Sequence, residues 1–164
     1  MSSGKAKVTL PTDEQIQITR EFDAPRHLVY RAWTTPELVK RWWNAKRGEV
    51  TVAEIDLRVG GRWRYAMETP DGFEVAFHGE YREIVPDERL VTTEVYEGLP
   101  EGVSEEDAAT INTATFEEKD GRTTLTIVVE AKNKVSRDAI VESGMEAGLQ
   151  DALDLAEEVV LSLR

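Results

Sequence analysis

The C-terminal segment 135–163 constrains the fold more than any other part of the sequence. Its apolar residues recur at spacings of three and four, and acidic residues fall mostly between them, which predicts one long amphipathic helix. Ser136 is a suitable N-cap, Asp138 suits the positive first turn, and no proline follows. The apolar stripe consists of Val141, Met145, Leu149, Ala152, Ala156, Val159, Val160 and Leu163. Such a helix would be roughly 40 Å long, and its apolar face needs a surface to pack against.

Strand-like segments upstream of the helix provide that surface. From Val50 onward the apolar residues alternate, which predicts strands at about 50–57, 61–69, 73–85, 89–97, 108–118 and 122–131. A further strand is predicted within residues 15–23. Two short helices are predicted to begin at Asp23-Ala24-Pro25, where Asp can cap the helix, and at Thr35-Pro36. The predicted fold class is therefore α+β, an antiparallel sheet wrapped around the C-terminal helix.

The turn at residues 69–72, Thr-Pro-Asp-Gly, predicts a three-residue hairpin loop closed by a left-handed glycine. This loop would pair Met67 with Val75, Tyr65 with Phe77 and Trp63 with Gly79. The glycine would leave room for the indole. A two-residue loop would instead pair Tyr65 with His78 and split the aromatic residues between the two faces, so packing favours the first register. His78 is then expected to face solvent.

Two further turns predict which polar residues face inward. Asp120-Gly121 suits a two-residue loop that pairs Phe116 with Leu125, Ala114 with Ile127 and Asn112 with Val129. A four-residue turn at 86–89 would pair Tyr81 with Glu94 and Gly79 with Tyr96. Both registers place a polar side chain, Asn112 or Glu94, on the inner face. The acidic segment 98–107 is expected to be a mobile loop at the rim of the sheet.

Composition limits the class of protein and its partners. The 164 residues are 40% hydrophobic, which predicts a single domain over residues 8–164 after a disordered segment 1–7 that includes a Ser-Ser-Gly sequence typical of a cloning scar. We expect a cytoplasmic protein without a membrane span, because no long apolar run or charged-then-apolar leader occurs. The net charge of −12 argues against nucleic acid as a partner. The basic residues Lys40, Arg41, Lys46 and Arg47 are interpreted as a solvated surface.

The residues available for metal or cofactor binding are few. The chain has 0 cysteines, which excludes disulfides, thiolate metal sites and a cysteine nucleophile, and its 2 histidines lie far apart. We therefore expect no metal and no cofactor.

Six segments resemble, in the right order, the landmarks of one protein family. They are ITREFDAP at 18–25, RAWT at 31–34, RWW at 41–43, DLRVGG at 56–61, GEYREI at 79–84 and GMEAG at 144–148. By these segments the chain from about Val8 to its end is similar to homologues of the activator of the heat-shock-protein-90 ATPase, within the START-like or Bet v 1-like superfamily (SRPBCC). The resemblance implies a helix-grip fold: a seven-stranded antiparallel sheet around the C-terminal helix, an apolar cavity between them, and two small helices closing one end.

Two positions depart from the family pattern. Leu149 stands where an aromatic residue is usual, and Asn112 stands where a β-branched apolar residue is usual. Leu149 in place of an aromatic residue implies a cavity that is larger or differently shaped than in the family.

The inner face of the predicted sheet carries the candidate ligand-binding residues. They are Trp63, Tyr65, Met67, Phe77, Tyr81, Glu94, Tyr96, Asn112 and Phe116, with Met145 and Leu149 opposite them on the helix. Core packing is the alternative interpretation, but a core would not bury so many polar groups unless they bound one another, water or a ligand. Gly144 and Gly148 point the same way, because glycine weakens a helix and suggests space or close approach there. We therefore predict that the protein binds a small hydrophobic or aromatic molecule.

Other functions stay open beside ligand binding. A carboxyl buried among aromatic rings has its ionised form disfavoured, so Glu94 is a candidate general base for a cyclase/aromatase-like or hydrolase-like enzyme. No nucleophile and base stand at a recognisable spacing, so we do not expect catalysis. The family name implies a chaperone cofactor as the main alternative, which rests on analogy. A homodimer is also left open.

Overall fold

The computed structural model describes residues 5–44, 46–99 and 101–164. The elements in chain order are β1 (Lys7–Thr9), β2 (Gln15–Phe22), α1 (Arg26–Thr34), α2 (Pro36–Trp42), β3 (Glu49–Ile55), β4 (Arg62–Glu68), β5 (Glu74–Val85), β6 (Arg89–Tyr96), α3 (Glu105–Ala108), β7 (Thr110–Lys119), β8 (Arg122–Glu130), α4 (Lys134–Glu142) and α5 (Met145–Ser162). Residues 1–4 of the segment expected to be disordered, with its Ser-Ser-Gly sequence, lie outside the described residues. Lys7 of that segment begins β1, and Ala6 before it is buried.

The strands form one antiparallel sheet, with the helices packed against its inner face. The strand order is β1-β2-β8-β7-β6-β5-β4-β3, so β3 to β8 are a continuous meander and β2 returns to pair with β8. The predicted α+β helix-grip architecture is confirmed. The sheet of the described chain has 8 strands where seven were expected. The additional strand is β1, which pairs Val8 with Ile18 of β2.

The C-terminal segment forms two helices, so the prediction of a single long helix is wrong. Gly144 stands between α4 and α5 with φ of +84°, a left-handed conformation that ends one helix before the next begins. The predicted cap is also wrong: the side-chain oxygen of Asn133, not that of Ser136, caps α4 by accepting a 2.8 Å hydrogen bond from the Ser136 N–H. Likewise, α1 has no side-chain cap, and Pro25 rather than Asp23 precedes its first residue.

Two of the three predicted hairpin registers are confirmed. The loop at 70–72 pairs Tyr65 with Phe77 and Trp63 with Gly79, and Gly72 has the expected left-handed φ of +87°. The turn at Asp120-Gly121 pairs Asn112 with Val129. At both turns the local residue types fixed the strand pairing.

The third predicted register, between β5 and β6, is wrong by two residues. Tyr81 pairs with Thr92 instead of Glu94, and Tyr96 pairs with Phe77 instead of Gly79. The chain turns at residues 86–88 with Asp87 in the left-handed region, and the register shifts again at a bulge between Tyr81 and Glu83. A shift by two keeps every side chain on its face, so Glu94 still points inward.

The rim segment 98–107 is partly helical. Its last residues form the start of α3, where the Ser104 side-chain oxygen accepts a 3.1 Å hydrogen bond from the Asp107 N–H. Pro100 lies outside the described residues. The expectation of an irregular loop therefore fails for the C-terminal part of this segment.

A buried ion pair ties α5 to the sheet. Arg20 on β2 donates to Asp154 at 2.9 Å and to Glu157 at 3.1 Å. Arg20 and Glu157 are 2% and 3% exposed, so their contact is shielded from solvent, whereas the Asp154 side chain is 47% exposed. At the surface, Lys46 and Arg47 approach Asp151 of α5, and both basic side chains are about half exposed, as expected for a solvated group.

None of the helices in the described part of the chain combines the length and the apolar character that crossing a bilayer would require.

Candidate functional site

A cavity of about 860 Å³ lies between the inner face of the sheet and the helices. Its size falls within the range of roughly 300–1,000 Å³ that is usual for small-molecule sites. Strands β4 to β8 form its wall, residues of α1 and α2 close one end, and α4 and the first turns of α5 cover it. Of the predicted site residues, the structure brings nine to this cavity: Trp63, Tyr65, Phe77, Tyr81, Glu94, Tyr96, Asn112, Met145 and Leu149.

Met67 and Phe116, the other two predicted site residues, lie in the packed core. Met67 is 5% exposed and pairs with Val50 and Val75 towards the far end of β4. Phe116 is 1% exposed and packs edge-on against Tyr30 of α1, with ring centroids 5.7 Å apart. Both side chains point inward as predicted, but their positions along the strands place them outside the cavity.

Five aromatic rings in mutual contact form one side of the cavity, which we call the aromatic wall. It consists of Trp43, Trp63, Tyr65, Phe77 and Tyr96. The centroid of Tyr65 lies 4.8 Å from that of Trp63 and 5.5 Å from that of Trp43. Phe77 continues the contacts, 5.9 Å from Trp43 and 5.2 Å from Tyr96. These edge-on and tilted arrangements hold the rings in place and present a large apolar surface.

Three tryptophans of the N-terminal helices line the cavity although the sequence reasoning missed them. Trp33 and Trp42 stack with centroids 4.4 Å apart, and Trp42 donates through Nε1 to the Ala32 carbonyl at 3.0 Å. Trp43 follows α2 and belongs to the aromatic wall. The family resemblance could have indicated these tryptophans, because it implied that two small helices close one end of the cavity.

A polar cluster of Glu94, Asn112 and Thr110 interrupts the apolar lining. The Thr110 hydroxyl donates to the Asn112 side-chain oxygen at 3.0 Å. The Asn112 amide nitrogen is therefore the group that donates to the Glu94 carboxyl. Burial raises the pKa of Glu94 above its ordinary value of 4.5, and the hydrogen bond from Asn112 opposes this shift.

Tyr65 and Tyr81 form a second polar pair in the cavity. The Tyr65 and Tyr81 hydroxyls share a hydrogen bond. Burial is the larger effect and raises the pKa of both phenols. The Glu94 carboxylate raises the pKa of Tyr65 further, so the two polar groups lie close enough to interact. Both phenols are neutral at physiological pH.

Gly79 allows Trp63 to reach the inner surface of β5. A side chain at position 79 would meet the Thr93 carbonyl oxygen at 1.8 Å and Trp63 Nε1 at 2.7 Å. Trp63 Nε1 donates to that carbonyl at 3.1 Å. The predicted packing of Trp63 over Gly79 is thus confirmed. His78, on the opposite face, contacts Glu97 at 3.0 Å and does not line the cavity.

The helix glycines have other roles than the one predicted. Gly144 separates α4 from α5, and a side chain at Gly148 would make ordinary contact with Arg47 at 3.5 Å. Neither glycine opens space over the cavity.

The ionisable groups that line the cavity are Glu94, Tyr65, Tyr81, Tyr96 and Lys132. Within residues 5–44, 46–99 and 101–164, no three His, Cys, Asp or Glu side chains lie together in a way that could hold a metal ion.

The family described as "Activator of Hsp90 ATPase homolog 1-like protein" matches residues 23–160. No curated protein matches the chain.

Solved structures of bacterial proteins share the fold along nearly the whole chain. A protein of Rhodobacter sphaeroides has a TM-score of 0.87 at 21% identity, covering 97% of this chain and 99% of its own. The protein Ms6760 of Mycobacterium smegmatis has a TM-score of 0.83 at 24% identity, covering 95% and 96%. The protein CV1439 of Chromobacterium violaceum is 30% identical, with a TM-score of 0.67, covering 87% and 94%.

Proposed function

The chain belongs to the family of Activator of Hsp90 ATPase homolog 1-like proteins, and from that premise we propose that it binds a small apolar or aromatic molecule with at least one polar group. The observation that carries the proposal is the cavity of about 860 Å³, which is lined by aromatic rings and contains the polar cluster. Affinity would come from the apolar surface that the ligand and the wall remove from water. The polar cluster would fix the orientation of the ligand.

The size of the cavity is compatible with useful affinity. A ligand that buries about 300 Å² of apolar surface gains roughly 7–8 kcal/mol at 25 cal/mol per Å². Association costs oppose this gain, and hydrogen bonds to the polar cluster add to it. At the roughly −0.3 kcal/mol per non-hydrogen atom that drug-sized ligands reach after these costs, a ligand of about 25 such atoms would bind with about −7.5 kcal/mol, a dissociation constant of a few micromolar.

Binding of the uncharged dye Nile red tests the proposal. Its fluorescence should rise on entering the cavity, with micromolar affinity. Leu149→Trp places a larger side chain inside the cavity and should weaken binding at least tenfold. Glu158→Trp introduces the same residue on the exposed side of α5 and serves as the control. Equal binding by the two variants, or no binding by the unmodified protein, would contradict the proposal.

Other activities have less support. A contact with a chaperone rests on the family description alone, and the exposed apolar side chains lie on separate elements, such as Phe73 at the β4–β5 loop and Val135 on α4. Catalysis by Glu94 would need a second reacting group beside it. The Tyr65 hydroxyl, which is close enough to interact with it, already forms a hydrogen bond with Tyr81.

A further inference from the structure

We propose that the ligand is a cation, a protonated amine on an aromatic or other apolar body, with its ammonium group at Glu94 and its body against the aromatic wall. This inference rests on the proposed function and names the chemical class of the ligand. It comes from the charges that line the cavity, from the unused hydrogen-bonding capacity of Glu94 and from the aromatic faces beside it.

The charge of the lining favours a cation over an anion. Glu94 is the one acidic side chain among the described residues of the cavity, and Lys132, the one basic side chain, is exposed at the edge. No arginine or histidine of the described chain lines the cavity, so a carboxylate or phosphate would meet no buried positive partner. The net charge of −12 also attracts cations and repels anions over longer distances.

The Glu94 carboxylate has acceptor positions that its protein partners do not use. A carboxylate can accept about four hydrogen bonds, and Asn112 provides one donor to it. Thr110 donates to Asn112, so its hydroxyl proton is directed away from Glu94. An ammonium group has three donors and no acceptor, which complements a carboxylate with open acceptor positions.

The aromatic wall lies beside this carboxylate. The register that pairs His78 with Val95 and Tyr81 with Thr92 sets Glu94 opposite Gly79, over which Trp63 packs. Electron-rich ring faces attract cations, and tryptophan does so most strongly. A protonated amine at this position would therefore be stabilised by the carboxylate and by ring faces together, in a site that excludes much of the solvent.

Three naphthalene derivatives that differ in one group provide a matched test: 2-naphthylmethylamine, 2-naphthalenemethanol and 2-naphthoate. At neutral pH the first is a cation, the second is neutral and the third is an anion. In calorimetric titrations of the full chain, we expect the amine to bind at least tenfold more tightly than the alcohol, and the carboxylate to bind most weakly.

Glu94→Gln keeps the shape of the side chain and removes its charge. It should weaken binding of the amine tenfold or more and change binding of the alcohol less than twofold. Glu117→Gln removes the same charge from an exposed position of β7 and should leave all three affinities unchanged. If Glu94 had only a structural role, Glu94→Gln would weaken binding of the amine and of the alcohol equally.

The pH dependence gives a second readout. Only the ionised carboxylate forms an ion pair, so the ratio of amine to alcohol affinity should rise as the pH is raised from below 4.5 through the raised pKa of Glu94. The other titratable groups facing this region are Tyr65 on β4, Tyr81 on β5, Tyr96 on β6 and Lys132 after β8, with Tyr30 of α1 near Tyr81. In Glu94→Gln the ratio should stay constant.

An alcohol or carboxylate that binds as tightly as the amine would overturn this inference, as would equal weakening of all three ligands by Glu94→Gln. Nile red binding separates this failure from failure of the proposed function. If the uncharged dye binds while the amine has no advantage, the cavity binds ligands but does not select cations. If neither binds, both proposals fail.

Discussion

Gly79 shapes the cavity wall because it lets Trp63 pack closely against β5. Because a side chain there would meet backbone at 1.8 Å, we expect Gly79→Ala to lower the free energy of unfolding by roughly 3 kcal/mol or more. Urea unfolding measures this loss. Gly148→Ala is the matched control, since its new methyl group has room and alanine favours the helix by up to about 1 kcal/mol. Equal effects of the two substitutions would contradict the packing described for Trp63.

Glu94 should make the stability of the protein depend on pH. Its pKa is raised in the folded state, so its contribution to stability is fully present below the unfolded pKa, near 4.5, and is lost as the pH rises through the folded pKa. Glutamine does not ionise, so the Glu94→Gln variant has no such loss of stability as the pH rises. The stability of the variant relative to the unmodified protein should therefore increase between about pH 4 and about pH 8, as measured by urea unfolding across that range. A constant difference would mean that Glu94 is well solvated.

At the scale of elements, Gly144 divides the C-terminal segment into α4 and α5. Gly144→Ala forces a residue with a side chain into φ of +84°, and we expect a loss of about 1–2 kcal/mol. Gly144→Asn should lose less, because asparagine tolerates the left-handed region better. Thermal unfolding of both variants checks this order. A stabilised Gly144→Ala variant would indicate that one continuous helix is the better structure.

Hairpins show how far local sequence determines this sheet. Asp120-Gly121 and the loop at 70–72 require left-handed residues at defined positions, and both registers followed from those residue types. The turn at 86–88 uses Asp87 in the left-handed region, and a bulge between Tyr81 and Glu83 precedes it, so no residue type signalled the actual register. The break at Gly144 had a signal, a glycine after a helical stretch, but the continuing apolar period outweighed it.

The candidate site was predictable where it belongs to the sheet. Alternation along β4, β5 and β6 identified the inward residues, because side-chain direction in a strand has a strict period of two. Alternation does not show which part of the inner face borders the cavity. Met67 and Phe116 were therefore predicted as site residues although they lie in the core. The tryptophans of α1 and α2 reach the cavity only through the way these helices dock on the sheet, which depends on tertiary packing rather than on their own sequence.

For the whole molecule, a ligand in the cavity should stabilise the fold because it contacts both the sheet and the helices. At a free concentration about 100 times its dissociation constant, it should raise the free energy of unfolding by about 2.7 kcal/mol. For a chain of this size that corresponds to roughly 5–10 °C in the midpoint of thermal unfolding. The control is Leu149→Trp, in which the same concentration of Nile red should cause little shift. A similar shift in both proteins would indicate binding outside the cavity.

The pairing of β2 with β8 has a consequence for the time at which the protein can fold during synthesis. Gln15 of β2 pairs with Glu130 of β8, and the strands of the meander lie between them in the chain. At the usual rate of translation, β8 is made on the order of ten seconds after β2. During that interval β2 lacks its partner strand β8. Three of its side chains are buried in the folded protein: Ile16, Ile18 and Phe22. The nascent chain must therefore keep its first long strand unaggregated until nearly all of the sheet has been synthesised.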